Sequence, residues 1–411
     1  MTTTKTNFST SFTAGKTKGS GLVPARKKRV KTAVAAPKSL SLWRVFSVLA
    51  CLVGAVFSFV SISAANQLVN QVGATGHQVS YVQMAKARLL AADGLAVSSL
   101  AGGQTGGQLD HSAELSNAAD AVSMAVAGKG QDYAQDAHLP AITHEITEYA
   151  FSLGQTVVLA GQPGVDLAAS VSASEEKLRS GVIPAIDTFI QAEQNKIDQK
   201  PWTWVGVGLV IPLGVLIIAS VKHAKLTRRI FNVGLLAAVV MVGFAGYQVA
   251  DAGLSSARYK LSSGSGLYSL TQQYSQTQVD LAQALNIDGQ FIVQTGDMQA
   301  LQDQWQTAID QVRAGGGSDE LDQQLTAYEQ AHKAMLDSPG DAQLIAANAT
   351  AAMTAITTVE EMSSAALDSF FGDVNQRLHS NSVSRLSATA LCLLGALACG
   401  VGLAKPLRKY R

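Results

Sequence analysis

Cysteine is close to absent from this chain, and acidic residues are missing from three whole segments of it. The three cysteines, Cys51, Cys392 and Cys399, all fall inside apolar runs, so the polar parts have nothing with which to build a disulfide framework or a thiolate metal site. Aromatic residues make up only 6%, and the polar stretches show no strand-like alternation of apolar and polar positions. Charged residues are sparse at 15% and balanced, 31 Lys plus Arg against 30 Asp plus Glu, so net charge says nothing about partners. Their placement says much more.

Four runs hold no Asp, Glu, Lys or Arg: Val45–Ala65, Trp202–Val221, Ile230–Ala250 and Leu386–Ala404, of 21, 20, 21 and 19 residues. About 20 apolar residues at ~1.5 Å each cross the ~30 Å hydrocarbon layer, so all four are expected to be transmembrane helices. Residues 1–44, 222–229 and 405–411 carry 10, 4 and 4 basic residues and no acid. Residues 66–201 and 251–385 carry 14 and 16 acids against 7 and 6 bases. Short cytoplasmic loops retain Lys and Arg, so the basic pieces are expected inside and the acidic pieces outside. The chain then reads as a multi-pass plasma-membrane protein with both termini cytoplasmic. "SISAAN" after the first run resembles a signal-peptide cleavage site. The basic region before it and the run itself are both too long for that design, which favours a retained anchor.

The layout is span, outer segment, span, written twice. "ADGLAVSSLAGGQTGG" (92–107) parallels "IDGQFIVQTGD" (287–297), "GKG" (128–130) parallels "GGG" (315–317), and "QPG" (162–164) parallels "SPG" (338–340). Such a fixed order of helix breakers suggests internal duplication. Reading the breakers as ends gives helices over 66–100, 108–127, 131–160 and 166–200, then over 251–293, 298–313, 318–337 and 341–385. The expected fold class is an all-α membrane protein: four transmembrane helices and two duplicated extracytoplasmic four-helix-bundle domains. Ile356, Val359, Ala366, Leu367, Phe370 and Val374 mark the apolar face of the last outer helix. Ala388, Cys392, Ala396, Gly400 and Ala404, and likewise Ala50, Gly54 and Ser58, repeat every fourth residue, a spacing that lets helices approach closely in lipid.

No catalytic constellation stands out, and no enzyme activity, cofactor or metal is expected. The seven histidines are scattered and read as surface or bundle-face residues, and the acid pairs 175–176, 319–320 and 360–361 as solvated helix faces. The glycine-rich turns lack the Lys-Ser/Thr of a phosphate loop. Spans almost devoid of polar groups argue against a transporter. The 59 basic-side residues are too few for a kinase, so any inward signal must leave through a partner. Arg26, Lys27, Lys28, Arg29 and Lys31 in the tail, with Lys225, Arg228 and Arg229 in the hairpin, either set topology alone or also touch anionic lipid or a protein partner. No nucleic-acid partner is expected, because eight residues between two spans cannot reach a duplex. At the membrane-distal tips, Gln104, Thr105 and Pro163 in the first copy and Gln294, Thr295 and Pro339 in the second are the candidate docking residues.

Span, four-helix outer bundle, span resembles bacterial chemoreceptor-type sensors. The tandem version, with its basic tail, minimal hairpin "VKHAKLTRR" and basic end "KPLRKYR", is similar to the actinobacterial GlnX-type sensor-relay proteins. The resemblance implies as partners an extracytoplasmic amino-acid-binding lipoprotein and a cytoplasmic Ser/Thr kinase. It implies as function the relay of aspartate or glutamate availability to metabolism. The sequence leaves a homodimer open. A non-sensory envelope structural or assembly protein, with the bundles as spacers, is the alternative.

Overall fold

A computed structural model describes residues 36–101, 110–127, 138–160, 162, 166–198, 207–227, 232–257, 267–294, 296–315 and 318–408. Almost everything described is helix, with no strand among these residues. Two helices dominate by length: α1 (Ala36–Ala101, 66 residues) and α11 (Ala342–Arg408, 67 residues). At 1.5 Å per residue each is on the order of 100 Å long. Between them lie α2 (His111–Ala127), α3 (His138–Ala160), α4 (Leu167–Lys177), α5 (Ile183–Asp198), α6 (Val207–Thr227), α7 (Val233–Ala257), α8 (Leu267–Val293), α9 (Met298–Ala314) and α10 (Asp319–Asp337). A π-helical turn, Leu178–Val182, joins α4 to α5.

The helix starts follow from the breakers. Asp110, Asp166, Asp297, Ser318 and Asp341 each stand before a helix and accept a backbone N–H from its first turn. Each such cap is worth about 1 kcal/mol. At Asp110 the Ser112 hydroxyl, together with the backbone bonds, holds the carboxyl below its ordinary range. The helix ends use residues that tolerate positive φ: Gly296 (φ 98°), Gly340 (φ 103°) and, unusually for a side-chain residue, Gln294 (φ 54°). The Asp-Gly pairs at 93–94 and 288–289 act differently from the other breakers. They lie inside α1 and α8, where the missing Cβ serves packing.

Among the described residues three helices are long and apolar enough to cross a membrane: those containing Ser41–Ala101, Val233–Ser255 and Ala342–Ala404. In α1 and α11 the runs free of charged residues are Val45–Ala65 and Leu386–Ala404, and both helices continue well beyond them. Around the apolar parts, Val56, Val60, Val240, Leu397 and Val401 point outward and exposed, an arrangement suited to lipid and costly in water. Inside, the small-residue stripes meet. Ser58 Oγ lies 3.9 Å from Cys392 Sγ, and a Cβ on Gly402 of α11 would fall 2.8 Å from the Gly234 Cα of α7. All three cysteines are buried here as free thiols. At the end of the apolar region nearer the bundle the Arg385 guanidinium sits over the Phe59 ring, 5.0 Å from its centre.

Beyond the membrane region the two expected bundles share one core. Leu89 and Leu95 of α1, Tyr149 of α3, Phe189 of α5, Leu285 of α8, Trp305 of α9, Tyr328 of α10 and Ile356 of α11 belong to a single buried cluster. Residues 87–98 of α1 are buried without interruption, as are residues 284–291 of α8. A helix enclosed on every side is a central helix. The pair α1 and α8 is therefore the spine, and α11 packs along both. Glycine makes the approach close: a Cβ on Gly94 would lie 2.6 Å from the Leu285 carbonyl oxygen, and one on Gly289 would lie 3.2 Å from Val97 Cβ. On α11, Ile356, Val359, Leu367, Phe370 and Val374 are buried as the periodicity expects.

Candidate functional site

The turn that ends α8 and the turn that ends α10 lie side by side at the end of the bundle furthest from the apolar parts of α1 and α11. Between them is a cleft of about 740 Å³, walled by Phe291, Gln294, Met298, Gln299, Gln302, Asp303, Leu336 and Pro339. Its polar lining is amide and carboxylate with no cation among the lining residues, which suits neutral or cationic groups hydrogen-bonding over an apolar floor.

Beneath the cleft is a buried polar network built on Asp288, which is fully enclosed. His332 donates from Nδ1 to Asp288 Oδ1 at 2.7 Å, the Tyr328 hydroxyl donates to Oδ2 at 2.6 Å, and Asn348 Nδ2 donates to Oδ2 at 2.7 Å. The i, i+4 spacing of Tyr328 and His332 puts both on one face of α10. Trp305 lies flat on the His332 ring, 3.8 Å between centres and 8° between planes, and its indole N–H donates to the Tyr328 oxygen at 3.3 Å. Burial and the neighbouring Asp288 charge push the Tyr328 hydroxyl well above its ordinary value, so it remains a donor. The network reaches the cleft at two points. His332 Nε2 is 3.4 Å from Gln302 Oε1, and Phe291 meets the His332 ring edge-on.

A second network joins the two halves of the chain. Asp93 of α1 accepts from the Tyr149 hydroxyl of α3 (2.9 Å) and from Asn286 Nδ2 of α8 (2.6 Å). Asn286 in turn accepts from Gln290, and Arg179 on the π-turn lies 3.5 Å from its Oδ1 while pairing with Glu175 at 2.7 Å. Burial raises the Asp93 carboxyl to about 6, its two hydrogen bonds only partly opposing the shift, and burial raises Glu175 too. Each half thus places an Asp-Gly on its central helix and a tyrosine hydroxyl on the Asp from its third outer helix. The symmetry stops there: four residues beyond Tyr149 is buried Leu153, where His332 follows Tyr328.

A third link is Arg88, buried on α1, whose Nη1 donates to Glu114 of α2 at 2.6 Å and whose Nη2 donates to Glu360 of α11. Glu175 and Glu360, expected on solvated faces, instead serve these links, each ion-paired with an arginine, which at Glu175 opposes desolvation only in part. His332, expected at the surface or on a bundle face, is held inside by Asp288 and Trp305.

Of the expected tip residues, Gln294 and Pro339 line the one cleft, while Thr295, Gln104, Thr105 and Pro163 lie outside the described residues. Lys225 is exposed in the last turn of α6, and Arg228, Arg229, Arg26, Lys27, Lys28, Arg29 and Lys31 lie outside the described residues. Sequence reasoning missed Asp288, Tyr328, His332 and Asn348. The usable signal was an acid set in the apolar stretch "LNIDGQFIV" together with Tyr and His four apart on an otherwise polar helix. Among the described residues no group of three or more His, Cys, Asp or Glu side chains is arranged to hold a metal ion. No protein-family model, curated protein or solved structure matches the chain.

Proposed function

We propose that the chain is a four-span transmembrane signal-relay protein built from two fused copies of a sensor unit. α6, 21 residues of mostly apolar helix packed against α1 and α7, is the fourth span, and both termini are cytoplasmic. The relay couples an extracytoplasmic binding lipoprotein for aspartate or glutamate to a cytoplasmic Ser/Thr kinase, as in the GlnX-type proteins it resembles. One observation carries the reading: α1 and α11 run without a break from the outer bundle through the apolar region and pack on each other and on α8. Rigid, continuous helices transmit the ~1–2 Å shifts by which helix interfaces switch state. The occupant of the α8–α10 cleft selects between packings of Asp288, and Gly289 beside it presses the change onto α1.

The test is proximity cross-linking of the tagged protein in its native membrane, with and without external amino acids. Recovery of a solute-binding lipoprotein outside and a kinase inside, changing with aspartate or glutamate, supports the relay. Recovery of cell-wall or envelope-assembly enzymes alone, unchanged by nutrients, overturns it in favour of a structural spacer. A second reading, direct binding of a small molecule, is favoured by the cleft itself. Gln294→Arg should then abolish ligand response in the purified protein, whereas in the docking reading it abolishes only capture of the lipoprotein.

A further inference from the structure

A groove of about 800 Å³ runs between the apolar parts of α1 and α11, walled by Val48 and Leu52 on one side and Leu393, Leu397 and Val401 on the other, with Gly400 in its floor. Arg44 and Ala404 stand at its mouth. From Arg44 to Leu52 is eight helical residues, about 12 Å, and from Ala404 to Leu393 is eleven, about 16 Å. Half of a ~30 Å hydrocarbon layer is ~15 Å, so the groove runs the depth of one leaflet. Arg44 is half-buried, and no carboxylate among the described residues pairs with it. None is near in sequence either: all 30 acids lie in residues 66–201 and 251–385, beyond the other end of the spans. A cation at a membrane boundary with no carboxylate partner among the described residues is matched by an anion from the lipid.

We infer that this groove holds one anionic phospholipid, an acyl chain lying along Leu52 and Leu397 and the phosphate region on Arg44. Lipid tails are as apolar as leucine, so shape places the chain while charge makes the choice of headgroup. The inference rests only on α1 and α11 crossing a bilayer, and stands whether or not the chain is a relay.

The experiment uses the full chain in nanodiscs of mixed phosphatidylcholine and phosphatidylglycerol, with retained lipid counted by native mass spectrometry. One phosphatidylglycerol per chain is expected, preferred about fivefold. Arg44→Gln should remove the preference while retaining lipid. Gly400→Leu should remove retention of both lipids. A Cβ at Gly400 meets nothing within 4 Å, so the larger side chain enters the groove without disturbing the helices. Thermal unfolding of both variants should match the parent, which separates loss of the site from loss of the fold. Equal retention of the two lipids by the parent would overturn the inference. So would efficient cross-linking between copies through Leu397→Cys whatever the lipid, which would give the groove to a second copy of the chain.

Discussion

Asp93 is the residue whose chemistry reports most directly on the union of the two halves. Its carboxyl titrates near 6 in the folded protein against an ordinary 3.8, because burial opposes the charge more than Tyr149 and Asn286 stabilise it. An acid whose folded value is raised contributes stability that is complete below its unfolded value and is lost as pH rises through the folded one. Thermal unfolding followed from about pH 4 to about pH 7 should therefore lose on the order of 3 kcal/mol, and Asp93→Asn should flatten that slope. Tyr328→Phe tests the other network. Deleting a donor to fully buried Asp288 should cost about 1–3 kcal/mol in equilibrium unfolding. These residues were the least legible part of the sequence. Burial is a property of the whole packing, and neither "ADG" nor "IDG" states in itself that its acid points inward.

Helices were far more legible, because capping residues and glycines act locally. Expected helices over 298–313 and 318–337 stand at Met298–Ala314 and Asp319–Asp337, where Asp297 and Ser318 cap them. What the pattern did not carry was the role of the glycines within helices. Gly94→Ala drives a methyl into the Leu285 carbonyl and should destabilise by about 1–3 kcal/mol, more than Gly289→Ala, whose neighbour is a side chain. Gly372→Ala, in open space on α11, should be neutral or stabilise by up to ~1 kcal/mol. Melting temperatures of the three variants give the order directly. Arg88 ties three helices together, and Arg88→Met leaves Glu114 buried without its partner, a loss of about 3–5 kcal/mol. Replacing Arg88, Glu114 and Glu360 together by apolar residues should recover most of that, since the pair terms and desolvation terms vanish together.

At the scale of the molecule, the all-helical character and, of the four spans expected, the three found among the described residues could be read from apolar runs and charge. The sharing of one core could not. A sequence shows that a helix has a buried face without naming what covers it, and α1, buried all round over residues 87–98, is covered by helices of both halves. Residues 1–229 expressed alone should leave the α8-facing side of α1 bare, and limited proteolysis should cut them in the bundle region. Co-expression with residues 230–411 should restore protection. The difference between Leu153 and His332 has a further consequence. Two separate identical chains would carry two equivalent clefts and could fill them singly or doubly. Among the described residues this chain has its Asp288–His332 arrangement in one half, with Leu153 at the matching place in the other. Titrating the occupant of the cleft should saturate at one equivalent per polypeptide with a Hill coefficient of one, unchanged on dilution, because the stoichiometry is written into the covalent chain.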